Sequence, residues 1–182
     1  ALEGLPASND QVYELHSGNN LISYPSSGYI PILDGLPDEI EPLINSIISE
    51  SEAVIKQEDG EWYGSLEYFR GGRGYWVEVT DSIDVISFSF ALDSLELTRQ
   101  YQPVYSNNIP KELRYNQSSQ QAFYFIKNIE HPDVENGDWI LAYNQNILVG
   151  TRQWNSVEID VPVMGYNGKE FTAGYLESGE KP

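Results

Sequence analysis

The chain has 182 residues and is strongly acidic, with 28 Asp and Glu against 10 Lys and Arg and a formal net charge of −18. That balance disfavours nucleic acid and anionic membranes as partners and leaves neutral or cationic partners, or a divalent cation. It has no cysteine, which rules out a disulfide scaffold and thiolate metal sites. Its 40 % hydrophobic content suffices for a real core in one large domain or two small ones.

Residues 1–10, ALEGLPASND, are small and polar, and read as a flexible arm of a soluble mature fragment rather than a signal peptide. VYELH and NLISYP read as short strands around the turn Ser17-Gly18-Asn19. Residues 26–37 read as a loop punctuated by proline and glycine. The spacing then predicts an α-helix over about 38–51. Asp38 is placed to cap it, Glu39 and Glu41 suit its positive end, and Pro42 is tolerable in the first turn. Ile40, Leu43, Ile44, Ile47 and Ile48 recur at three- and four-residue intervals and make one apolar stripe.

Beyond the helix the pattern is β. AVIKQ, WYGSLEYF, YWVEVT and VISFSFAL read as strands; Tyr75, Val77 and Val79 share one face of the third. Gly71-Gly72-Arg73-Gly74 precedes a strand and not a helix, so it reads as a turn or bulge and not as a phosphate loop. Residues 93–118 lack periodicity. From Gln121 strands resume: AFYFIKNI, a hairpin in GDWILAYNQNILVGTRQW, VEIDVPVMG, and a short piece near Phe171–Leu176. The organisation expected is an arm (1–10), a first module (11–95), a connection (96–119) and a second module (120–182). The fold class is mostly β: two consecutive β-sandwich-like modules, with the helix packed on the first sheet.

The series GNNLISYP, EDGEWYGSLEYF and GGRGYWVEV resembles a module of secreted bacterial, marine phage or environmental surface proteins. The second half, with GDWI, Gly-x-Arg-x-Trp and VPVMG, resembles a companion module often found after it. The two resemblances cover roughly residues 11–92 and 120–182, and their motifs are architectural. They imply an extracellular, multi-module protein at a cell or virion surface, with adhesive, surface or sugar-processing neighbours. The loop Tyr166-Asn167-Gly168-Lys169-Glu170 departs from the acidic loop of similar modules, because Lys169 works against a cation there. Similar modules also continue into a further strand after the position of Pro182.

No motif selects a nucleophile or a pair of catalytic carboxylates, and His16 and His131 are far apart, so the chain is not read as an enzyme. Hard oxygen ligands on loops suit Ca2+, and the candidates are Asp133, Glu135 and Asp138 in one turn, with Asn136 beside them, and Asn167 and Glu170 in another. No other cofactor is indicated. With Gln145-Asn146 at the hairpin turn, Trp139 falls opposite Arg152, and Trp139, Leu141, Tyr143, Leu148, Arg152 and Trp154 share one face. That face is either a cation–π-supported sugar platform, with Trp139, Tyr143, Arg152 and Trp154 as ligand-binding residues, or a packed interface. The expected function is a non-catalytic binding or assembly module whose partners are neighbouring modules or subunits of the same protein. The alternative is a carbohydrate-binding module that uses the hairpin face.

Overall fold

The computed structural model describes residue 8 and residues 10–80, 85–92, 109–155 and 157–182. The chain is mostly β and divides into two compact units, Ala1–Trp62 with Leu66–Pro103, and Tyr63–Ser65 with Val104–Pro182. The arm lies almost wholly outside the described residues, as does most of the connection.

The first unit is built on a sheet whose strands, in spatial order, are β2 (Gly18–Ser23), β8 (Gly74–Val79), β4 (Ile44–Ile48) and β5 (Ala53–Lys56). The short strand β6 (Trp62–Gly64) lies at the boundary along the chain, with Tyr63 and Gly64 counted in the second unit. Two short antiparallel pairs accompany it: β1 (Tyr13–His16) with β9 (Val85–Phe88), and β3 (Tyr29–Pro31) with β7 (Tyr68–Arg70). Alternation along β8 turns Tyr75, Val77 and Val79 into the core, where they join Ile22, Ile44, Ile47 and Val54 from the neighbouring strands. Leu15, Ile30, Phe69, Phe88 and Phe90 belong to the same core. Phe69 is its hub, edge-on to Tyr75 and to Phe90, with ring centroids 5.0 and 4.8 Å apart. Gly35 closes the one-turn helix α1 (Ile32–Gly35) against that ring, since a β-carbon there would lie 2.9 Å from Phe69 Cδ2.

The helix expected over 38–51 is absent; its residues form a 3-10 turn, Glu41–Leu43, followed by β4. The cause is a β-bulge. Ile44 pairs with Val79, yet Ser46 pairs with Glu78 and Ile47 with Val77, so Asn45 is an extra residue. A bulge moves the pleat by one position. It therefore lets Ile44 and Ile47, three residues apart, both point into the core, where both are fully buried. The three-residue spacing of a helix stripe is here a strand with one residue inserted. β-branched isoleucines favour that outcome, and Pro42 sits inside the 3-10 turn that leads into β4. The glycine-rich stretch 71–74 is a turn into β8, as expected, with Gly72 at φ +76°.

The second unit contains two antiparallel pairs: β10 (Gln121–Ile126) with β13 (Ile159–Met164), and the hairpin of β11 (Trp139–Asn144) with β12 (Ile147–Gln153). Every residue of β13 is buried. Its core is smaller: Ala142, Val149, Val163, Met164, Tyr175 and Leu176. β12 crosses close over β13 at Gly150, where a β-carbon would lie only 1.9 Å from the Pro162 carbonyl oxygen. Only glycine fits there.

Candidate functional site

The hairpin turns at Gln145-Asn146 and pairs Asn144 with Ile147, as the sequence suggests, but its register then slips. Tyr143 pairs with Leu148 and Ala142 with Gly150, so Val149 is bulged and buried. From there on Trp139 lies opposite Gln153, and Arg152 lies opposite Ile140. A one-residue slip moves a side chain to the other face, so the expected Trp139–Arg152 pairing does not form.

The four candidate residues are thereby separated. Arg152 donates from Nε to the Asp160 carbonyl oxygen (2.8 Å) and from Nη2 to Asp160 Oδ2 (2.7 Å). Asp160 is fully buried in β13. Within the same unit the Ser65 amide donates to Asp160 Oδ1, so both carboxylate oxygens are engaged. Arg152 is thus a structural clamp on an otherwise costly buried charge. Trp154 is 6 % exposed, and its amide and carbonyl bond Asp138 and Gly137. Trp139 is half-buried, and of the four only Tyr143, at 43 %, presents a broad surface to solvent.

The calcium candidates do not converge either. Asp138 Oδ2 accepts the Glu135 amide at 2.9 Å, and Asp133 is exposed in the same turn. Asn167 Oδ1 accepts the Lys169 amide and the Thr172 hydroxyl, while Glu170 is exposed at the start of a 3-10 turn. The side-chain oxygens of Asp138 and Asn167 close turns, as Asx side chains commonly do. Among the described residues no three His, Cys, Asp or Glu side chains are grouped to hold a metal ion.

Two other features have the character of sites. The first is the outward face of the first unit's main sheet. Register places Leu21, Trp76 and Ile48 in one row across β2, β8 and β4. Leu21 is 63 % and Trp76 is 48 % exposed. The next row is polar: Asn19, Glu78 and Ser46, with the Ser46 hydroxyl donating to Glu78 Oε2 at 2.7 Å. Gly74, exposed beside Trp76, carries no side chain to cover the indole.

The second is a cleft of about 430 Å³ in the second unit, at the start of β10 and the chain's last turn. Gln120, Gln121, Tyr124, Tyr166, Glu177 and Glu180 contribute to its lining. The sequence points only to one wall, the loop Tyr166-Asn167-Gly168-Lys169-Glu170, with Asn167 as a candidate cation ligand; Gln120, Gln121, Tyr124, Glu177 and Glu180 come from two further stretches that share no motif with it. Hydrogen bonds fix its walls. The Gly165 amide donates to Gln120 O (2.7 Å), the Ser118 hydroxyl to Gly165 O (2.6 Å), and the Tyr166 amide to Leu176 O (2.8 Å). No helix among the described residues is long and apolar enough to cross a membrane. Compared with family models, curated proteins and solved structures, the chain matches none.

Proposed function

We propose that the chain is a non-catalytic extracellular module that docks a neighbouring module or subunit of the same surface, filament or fibre protein. The docking face is the Leu21–Trp76–Ile48 row. The observation that carries this reading is the exposure of a tryptophan and a leucine side by side on a regular sheet. Exposed apolar residues scattered singly need no explanation, whereas contiguous ones rimmed by polar groups are the usual form of a contact surface. Tryptophan is also the residue type that most often dominates such contacts. The row stands on hydrogen-bonded strands, so its backbone needs no ordering on docking.

Size-exclusion chromatography with light scattering tests it. At a net charge of −18, copies repel one another at low salt, so association should rise with both protein and salt concentration. Trp76→Ser should weaken it at least about tenfold, the scale of a central aromatic contact. A strict monomer at the highest concentration and at every salt overturns the reading. So does association unchanged by Trp76→Ser.

A further inference from the structure

We propose that the cleft of the second unit binds a saccharide that is neutral or carries an amine. The inference is independent of the sheet face. Three observations combine in it. The volume, about 430 Å³, is that of a small-ligand pocket. The lining mixes amides (Gln120, Gln121), phenols (Tyr124, Tyr166) and carboxylates (Glu177, Glu180). Amides both donate to and accept from hydroxyls, carboxylates accept from hydroxyl or ammonium groups, and tyrosine rings offer a flat apolar face. A pyranose needs all three, because its hydroxyl edge and its C–H face are presented together. The third observation is charge. The lining holds two carboxylates and no lysine or arginine, in a chain of net charge −18. Carboxylated or sulfated sugars meet repulsion there, whereas an amine gains attraction.

The cleft is also shaped before any ligand arrives. Glu180 Oε2 accepts the Glu177 amide at 2.8 Å, and the Glu180 amide returns a bond to Glu177 O at 3.0 Å. This closed turn holds both acids at the rim. Tyr166 is anchored through its backbone and is 39 % exposed, so its ring is presented without being needed for the core.

Isothermal titration of the full chain with neutral hexose oligosaccharides, hexosamine oligosaccharides and sulfated oligosaccharides tests this. Saturable binding is expected for members of the first two classes and not for the third. Tyr166→Ala and Glu177→Gln should each weaken it roughly tenfold, the scale of one lost contact, with the Glu177 effect larger for the amine-bearing probes. Both side chains are at the surface, so neither substitution should lower the urea midpoint. Trp76→Ser should leave the affinity unchanged, which separates this site from the sheet face. Lack of saturable binding to any probe overturns the proposal. Equal binding of the sulfated probes, or affinity untouched by both cleft substitutions, also overturns it.

Discussion

The two units hold themselves together by different means. The first has a broad apolar core in which aromatic rings pack edge to face around Phe69. The second has a small apolar cluster and relies on polar anchors. The Arg152–Asp160 pair ties β12 to β13, the Tyr175 hydroxyl accepts the Asn116 amide at 2.8 Å, and the Asn116 side chain donates to Phe171 O at 2.7 Å. Non-directional burial tolerates small shifts, whereas a hydrogen-bonded buried charge does not. The first unit therefore suits a docking platform, and the second suits a cleft whose walls keep fixed positions.

Removing one anchor from each unit tests that contrast most strongly. Asp160→Ala leaves the Arg152 guanidinium without its carboxylate and should cost about 3 kcal/mol or more. Phe69→Ala empties the centre of the aromatic cluster and should cost about 3–5 kcal/mol. Hydrogen exchange should show each loss confined to its own unit. The double substitution Arg152→Met with Asp160→Leu should recover part of the first loss, because a buried ion pair is replaceable by apolar volume, while the Ser65 amide stays without its acceptor; no comparable exchange repairs Phe69→Ala. If Asp160→Ala is as mild as a surface change, the second unit does not depend on its polar anchors.

A smaller effect is expected at Tyr24, buried in the first unit. Burial raises the pKa of its phenol above 10.0, outweighing the pull of the Ser26 hydroxyl. The phenol thus ionises at lower pH in the unfolded chain than in the folded one. Its favourable share is fully present below about pH 10 and is lost as pH rises through the folded value. Tyr24→Phe should change stability by no more than about 1 kcal/mol at neutral pH. It should lose less stability than the parent in urea titrations near pH 11. An identical alkaline loss in both proteins removes Tyr24 as a contributor.

The mildest change sharpens the second unit. Gln145 opens the hairpin turn at φ +53°, a conformation that disfavours side chains. Gln145→Gly should stabilise the chain by about 0.5–1 kcal/mol, as relief of a left-handed residue does. A shift in the opposite direction, read from the urea midpoint, means that the glutamine side chain contributes more than its backbone strain costs.

Much of the β content was legible, because alternation in YWVEV and in the GDWI hairpin maps directly onto the strands that form. The errors share one cause. Both the expected helix at 38–51 and the expected Trp139–Arg152 pairing assume uninterrupted periodicity, and a single inserted residue, Asn45 or Val149, breaks it. Bulges carry no strong composition signal, so pattern alone does not reveal them. One signal was available for Arg152. Asp160 sits in the apolar run IDVPVM, and an acid in such a strand requires a partner. Apart from the Tyr166–Asn167 wall, the cleft residues gave no comparable signal. Gln120 and Glu177 are more than fifty positions apart, and each reads as an ordinary polar residue in a turn.

The crossing of Gly150 over Pro162 has a consequence for the spacing of the second unit's strands. The obstacle to a side chain at 150 is backbone, not the movable end of a flexible neighbour. Gly150→Ala can therefore be accommodated only by moving β12 and β13 apart. That separation would also stretch the Arg152–Asp160 pair, which joins the same two strands. One missing methyl group thus sets the spacing that the buried ion pair needs.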